Sequence, residues 1–460
     1  MRLQEIVGIV REYFFVALVA VIALMFLFFI GYFLFYRILL KGKKDLSKKN
    51  LILWGMFIGY FIMVIGVTFL NRGSGFQGGT NFALFSSYRQ AWHSFSLRHW
   101  QFVILNIIMF VPFGILFPLL HKRFQKAIVT IGAAALFTLS IESLQLVTRF
   151  GNFVVDDLFN NLLGGIIGYG IFMGILTIRT RGIRRSCLYF SPLLLVFILF
   201  GSMFTYYHWK EFGNLSIVPS QRANMTQAVT TVDIELNESR TSVPVYKAPT
   251  FTKATAEEFV VDFFGKLNVD PTNIEVISYQ DVGIYSVSPY NIWFTYLDGS
   301  YRFTDFSGHS ANMNPKDTDE ETLVENLSLF GIKLPQDAMF HHIDTGNYEW
   351  TVDKNAIGNQ LIDGILKVSY YNDDTVKYID NELITYDKVR DVQIKSEQEA
   401  YEEILDGKFP FYLNNHRVES LHVHQVELSY HLDSKGYYQP VYVFHSTFDE
   451  HETTILIPGM

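Results

Sequence analysis

A single cysteine, Cys187, stands in the 460 residues of this chain. No disulfide can close within one copy, so any exported part must hold together by its apolar core. Missing as well are G-x-S-x-G, H-E-x-x-H and a cysteine nucleophile, so the common hydrolase and zinc-protease chemistries have no motif to rest on. Acids are scarce at the front: residues 1–207 carry 6 Asp or Glu against 19 Lys or Arg, whereas residues 208–460 carry 39 against 18. The acidic rear half lacks the basic face that phosphate contacts require, which argues against a nucleic-acid partner. The sequence assigns no catalytic residue, no metal ligand set and no cofactor, and reads more as a binding or regulatory protein than as an enzyme.

What the front half does have is long apolar runs. A bilayer core of about 30 Å takes roughly 20 apolar residues of helix. Six stretches reach that length, at 13–36, 51–70, 101–120, 127–148, 158–178 and 188–207. The first is too long for the apolar region of a signal peptide and has no clear small-residue cleavage site before its basic cluster, so it reads as an uncleaved span. Basic residues fix the direction. Arg37, Lys41, Lys43, Lys44, Lys48 and Lys49 follow the first span, Lys122, Arg123 and Lys126 the third, and Arg179, Arg181, Arg184 and Arg185 the fifth. The opposite loops hold only Arg72, Arg89, Arg98 and Arg149. The basic side is therefore expected in the cytoplasm, with the N-terminus and the rear domain extracytoplasmic.

An ionisable group inside a span is a functional suspect by default, and Glu142 is the only charge well within one. Thr138, Glu142, Gln145 and Arg149 fall at i, i+4, i+7 and i+11, on one helix face. Asp156 and Asp157 open the fifth span, with Asn161 one turn below Asp157. Asn106 lies near the start of the third span, and Arg72 ends the second. Arg72, Asn106, Glu142, Gln145, Arg149, Asp157 and Asn161 are thus expected to form one polar cluster near the outer leaflet, with Arg72 and Arg149 as partners for Glu142 and Asp157. The blander uses of these residues are helix-to-helix hydrogen bonding and, for Asp156, Asp157 and Arg149, loop charges and a cap. Gly164-xxx-Gly168 and Gly170-xxx-Gly174 suit close helix approach, and Pro112 with Gly114 invites a kink in the third span. The loop over 71–100 is rich in aromatics, which suits the headgroup interface or a lid over the cluster.

T-F-L-N-R at 68–72, N-I-I-M-F-V-P-F-G at 106–114, S-I-E-S-L-Q at 140–145 and D-D-L-F-N-N-L-L-G-G-I-I-G-Y at 156–169 together resemble the VanZ-like family, named for a teicoplanin-resistance membrane protein. The resemblance covers about residues 50–180, and leaves out the first span and everything after the fifth. It implies an envelope function, lowered susceptibility to glycopeptide or lipoglycopeptide antibiotics, without implying a catalytic residue.

Residues 211–250 are polar, carry Pro219, Pro244 and Pro249, and read as a linker. Beyond it, helix patterns at 254–266, 320–329 and 396–405 each precede strand patterns, and Asp298-Gly299 signals a hairpin. The fold class expected is a membrane all-α bundle followed by a soluble α+β domain with antiparallel sheets, built of repeated helix-plus-sheet units. The expected divisions are 1–50, 51–180, 181–210, 211–250 and 251–460. G-I-L-K-V-S-Y at 364–370, with 396–408 and Gln439-Pro440-Val441-Tyr442, resembles extracytoplasmic PepSY- and YycI-like modules, which implies an envelope regulatory protein as partner. His422-x-His424 sets two imidazoles on one strand face, but zinc needs three or four convergent ligands, and spacing alone reads these as surface or packed histidines.

The leading functional expectation is a multi-pass membrane protein that protects the envelope by binding a membrane lipid headgroup, a lipid-linked cell-wall precursor or a lipoglycopeptide at the outer cluster. The alternatives are a membrane enzyme acting on a lipid or glycan headgroup, with Glu142 or Asp157 as acid or base, and a sensor or scaffold working through its exported domain. A small-solute transporter ranks last, because its site would sit at the midplane.

Overall fold

A computed structural model describes residues 47–70, 79–309, 312–410, 418–449 and 451–460, together with Leu18, Ile22 and Tyr32. Apart from those three positions, the first expected span lies outside the described residues, as does Arg72. The chain divides into two units, Met1–Glu211 and Phe212–Met460.

The first unit is α1 (Lys48–Ile65, continued by a π-helical turn, Gly66–Leu70), β1 (Thr80–Asn81), α2 (Ser86–Ser94), α3 (Leu97–Leu120), α4 (Ala127–Thr148), β2 (Phe153–Val154), α5 (Val155–Arg181) and α6 (Ile183–Trp209). Five of these helices, α1 and α3 to α6, are long and apolar enough to cross a membrane. They correspond to the second to sixth expected spans. Their apolar side chains face outward as well as inward: Leu136, Val147, Leu188 and Phe197 are all more than half exposed. A water-soluble bundle would bury these, whereas lipid solvates them. The interior is aromatic, with Phe110, Phe113 and Phe137 in mutual ring contact. α3 runs on through Pro112 and Pro118 as one helix, without a broken turn.

Glycine sets the tightest contact. A Cβ on Gly164 would lie 2.0 Å from the Ile107 carbonyl oxygen, and one on Gly168 would lie 2.0 Å from that of Val111. From the other side, a Cβ on Gly114 would lie 2.1 Å from the Gly165 carbonyl oxygen. Residue numbers rise together across the contact, so α3 and α5 run parallel. Without side chains between them the two backbones touch, as small-xxx-small pairs allow. On a second face of α5, Gly170 comes as close to the Tyr189 carbonyl of α6, and Gly174 makes room for the Phe190 ring.

The second unit joins α-helices to one large, almost wholly antiparallel sheet. Its elements are β3 (Val229–Val232), β4 (Ser242–Lys247), α7 (Lys253–Lys266), β5 (Glu275–Ser278), β6 (Val282–Val287), β7 (Tyr290–Thr295), β8 (Tyr301–Asp305), α8 (Glu320–Leu329), β9 (Met339–Asp344), β10 (Asn347–Ile357), β11 (Gln360–Tyr370), β12 (Val376–Asn381), β13 (Ile384–Gln393), α9 (Glu397–Leu405), β14 (Ser420–Leu432), β15 (Tyr437–Phe448) and β16 (His451–Pro458). The main path runs β3-β14-β15-β4-β13-β11-β12-β8-β7-β6-β5, with β16 beside β15 and β10 and β9 beyond β11. Only the β3–β14 pair in it is parallel. The helices begin where side chains cap them. Ser396 accepts from Glu399 N while Glu399 accepts from Ser396 N, at 3.1 and 2.9 Å, and Asp319 accepts from Thr322 N at 2.8 Å. Gly299 takes the left-handed conformation, φ +79°, at the expected hairpin.

Two features differ from the sequence reading. Helices α7 and α8 share one core, which includes Phe263, Phe264, Phe303, Leu323 and Trp350, while α9 covers a second with Leu421, Phe444 and Ile457. In place of the three expected helix-plus-sheet repeats there are two main cores, with two smaller apolar clusters, on one continuous sheet. Residues 211–250, expected as a linker, are built into that sheet instead: they supply β3 and β4 and bury Leu215, Ile217, Val245 and Tyr246. Pro244 fits because it pairs only with Asp391 of β13, while β15 meets β4 further on, at Tyr246 and Lys247, so the ring blocks no ladder bond on its other side.

Lys377 on β12 is buried with its ammonium 2.9 Å from Asp305 and 2.7 Å from Asp373. Burial works against the charge, but the bonds to Asp373 and Asp305 outweigh it and hold the amine above the usual lysine range. Lys377→Met strands the two carboxylates and is expected to destabilise the unit by about 3–5 kcal/mol, read as an earlier denaturant midpoint by fluorescence. In the first unit, Gly168→Ala is expected to destabilise the bundle by about 1–3 kcal/mol through overpacking. Gly132→Ala meets nothing within 4 Å and is expected to be neutral or stabilising by about 0.5–1 kcal/mol. Thermal unfolding of both variants in detergent separates the two outcomes.

Candidate functional site

α4 is polar on its inner face and apolar outside. Thr138, Glu142 and Gln145 are buried, each about one turn after the last, while Leu136, Leu139, Leu144 and Val147 face outward. This inversion is what a helix adopts when its surroundings are lipid and its polar groups serve the interior. Each inward group then meets a different neighbour. Gln145 Nε2 donates to the Thr68 carbonyl at 3.2 Å. Thr68 lies in the π-helical end of α1, where its own hydroxyl donates back to Val64 O at 2.8 Å. A π-helical turn shifts the backbone ladder and releases carbonyls for outside partners, and Gln145 takes one of them.

Glu142 reaches the chain between α4 and α5, where its carboxylate accepts from Val154 N at 3.4 Å. Val154 belongs to a short parallel pair in which β1 lies along β2, Thr80 opposite Phe153 and Asn81 opposite Val154. Gly79 N donates to the Asn152 side chain at 2.9 Å, and Phe153 N to Gly79 O at 2.9 Å. The loops after α1 and after α4 are thereby zipped together over the carboxylate.

The Asp-Asp and Asn-Asn pairs of α5, four residues apart, make two polar stripes facing different helices. Along one, Asp157 accepts from Asn106 Nδ2 of α3 at 2.5 Å, and Asn161 Nδ2 donates to the Thr138 hydroxyl of α4 at 2.9 Å. Asn161 Oδ1 is buried with no hydrogen-bond partner among the described residues. Rotating the amide would leave its nitrogen in that position, so one atom of the group is unpaired either way. Along the other stripe, Asp156 is fully buried and accepts from Phe85 N, from Ser86 Oγ at 3.1 Å and from Ser87 N at 2.7 Å. It thus caps α2 from a different helix. Tyr88 of α2 donates its hydroxyl to Asn160 Oδ1. Burial, with Asp156 nearby, pushes this phenol well above its ordinary range, so it stays a donor. In the last turn of α2, Trp92 stacks on Tyr206 near the end of α6, and Lys210 sits over the Trp92 ring, an aromatic belt of the kind found at bilayer surfaces.

Of the seven residues expected in one cluster, the structure places Asn106, Glu142, Gln145, Asp157 and Asn161 on neighbouring helix faces. Arg149 stands apart. It ends α4 in the left-handed conformation, φ 58°, is exposed, and makes no ion pair among the described residues. Asp156, Asn160 and the Thr68 carbonyl complete the arrangement and were not expected in it. The four-residue spacing of D-D-L-F-N-N carried the signal for the first two.

Residues 14–178 match the family model described as VanZ/LLP1. The motifs read above point to the same family, and the match takes in the first apolar stretch, which they had left out. It ends within α5, so the second unit lies outside it. No curated protein matches the chain. The crystal structure of an uncharacterized protein from Eubacterium rectale aligns with 50% of this chain and 87% of its own, at 13% identity and a TM-score of 0.25. A likeness that distant specifies neither fold nor function.

Asp156→Ala removes a cap, worth about 0.5–2 kcal/mol, and strands two N–H groups. Hydrogen exchange over residues 82–95 is expected to rise sharply in this variant and to stay near the parent rate in Asp157→Ala, whose side chain faces α3.

Proposed function

We propose that this membrane protein acts in the cell envelope and lowers susceptibility to glycopeptide and lipoglycopeptide antibiotics. It does so by holding a lipid headgroup, a lipid-linked wall precursor or the drug's lipid anchor at the polar faces of α3, α4 and α5. The observation that carries this reading is the buried run of Thr138, Glu142 and Gln145 inside an otherwise apolar span. Packing does not require a carboxylate there, and burying one is expensive unless it is partnered.

The side chains on these faces are mainly acceptors: the Glu142 and Asp157 carboxylates, beside the Asn161 amide. Such a set suits hydroxyl, amide or ammonium donors of a glycan or aminated headgroup better than a phosphate. The aromatic belt and α2 lie where the acyl part of such a ligand would meet the membrane surface. The charge distribution of the loops supports an extracytoplasmic opening, which is the side on which these drugs and their targets meet.

Teicoplanin and lipoglycopeptide susceptibility in a sensitive Gram-positive host tests this. Intact protein is expected to raise the inhibitory concentration, and Glu142→Gln, present at matched membrane level and nearly unchanged in shape, to return it to the host's baseline. Protection that persists in both Glu142→Gln and Asp157→Asn removes this site from the reading. No protection from intact protein removes the antibiotic role.

A further inference from the structure

The second unit brings together a group that spacing alone left incomplete. His422 and His424 lie on β14. The parallel neighbour β3 sets Thr231 opposite His422 and Val232 opposite Val423, and one residue further on Asp233 N donates to Val423 O at 3.0 Å. Strand pairing thus carries the Asp233 carboxylate to the imidazoles. Its Oδ2 is 2.8 Å from His422 Nε2 and 3.4 Å from His424 Nδ1. One ligand atom from each of the three residues lies within 4.8 Å of the others. All three side chains remain open to solvent.

We propose that Asp233, His422 and His424 bind one zinc ion, with the fourth position left to water. Tetrahedral zinc with nitrogen and oxygen ligands at about 2.0–2.2 Å sets those ligand atoms roughly 3.4 Å apart. The side chains reach that spacing by small rotations, which their exposure permits. A second observation points the same way. The far nitrogen of each ring already has a hydroxyl: His422 Nδ1 faces Thr231 Oγ1, and His424 Nε2 lies 2.6 Å from Thr447 Oγ1. Metal-bound imidazoles characteristically donate their other N–H to an oxygen, which fixes the tautomer and aims the free lone pair at the metal. In the tautomer in which both N–H groups donate to these hydroxyls, two lone pairs face a carboxylate oxygen, and a cation between them turns that repulsion into coordination. Two imidazoles and one carboxylate suit zinc far better than magnesium or calcium, which prefer oxygen alone. The ion would tie β3, which lies at the end of the sheet path, to β14, and its open position leaves it exchangeable.

The test is independent of the membrane site. Full-length protein in detergent, stripped with a chelator, is titrated with zinc chloride by calorimetry, and its metal content is then measured after dialysis. The expected result is one zinc per chain, no heat from magnesium, and a higher unfolding temperature with zinc. His424→Ala abolishes the binding, and the nearly isosteric Asp233→Asn weakens it about tenfold or more. Thr447→Val keeps all three ligands yet loses about tenfold, the usual effect of removing an outer hydrogen bond. His341→Ala, on another strand, leaves it unchanged. Failure to bind at large zinc excess overturns the assignment, as does binding that survives both His424→Ala and Asp233→Asn.

Discussion

Hydrocarbon has no hydrogen-bond partner to give, so a polar atom on a membrane span is stabilised only by another protein atom that can reach it. In the first unit that reach depends on how closely α3 and α5 approach. Gly114, Gly164 and Gly168 bring the two backbones into contact, nearer than the roughly 8–10 Å at which helices with ordinary side chains settle. At this separation Asn106 meets Asp157, and Asn161 reaches Thr138 on the adjacent α4. The polar chemistry of the bundle is thus conditional on residues with no chemistry of their own. The two glycine pairs on α5 serve different neighbours, α3 and α6, so one helix organises both sides of the unit.

Much of this was legible. Apolar runs of about twenty residues mark spans because lipid requires them, and α1 and α3 to α6 lie where those runs predicted. The face of Thr138, Glu142 and Gln145 followed from helical periodicity alone. Arg149 did not, because periodicity assumes the helix continues, and α4 ends at that residue in the left-handed conformation. Asp156 was hidden for another reason. A carboxylate at the start of a helix reads as a cap for that helix, and nothing local reveals that it caps α2 instead. The segment over 211–250 misled because prolines and polar residues signal a linker, whereas β4 tolerates Pro244 where only one neighbour pairs with it. Nor could spacing show that Asp233 would join His422 and His424, since 189 residues separate Asp233 from His422.

The two units handle buried charge differently. Lys377 has two carboxylates within 3 Å, an arrangement that fixes charge and geometry together and leaves little for a ligand to do. In the membrane unit the Glu142 carboxylate accepts from a backbone N–H at 3.4 Å, and Asn161 keeps one buried amide atom without a hydrogen-bond partner among the described residues. Fully satisfied networks lock a structure, so the ion pair of Lys377 makes the sheet rigid where it lies.

The short β1–β2 pair also imposes an order on synthesis. Its strands flank a hydrogen bond between residues 73 positions apart, so at ordinary translation speeds β1 leaves the ribosome roughly 4–15 s before β2 exists to receive it. During that interval the loop after α1 has no strand to pair with, and the Thr68 carbonyl has no Gln145. Synthesis of α4 and of the chain to Val154 supplies both. A chain that stops short of Gln145 and β2 leaves the β1 edge and the Thr68 carbonyl without these partners.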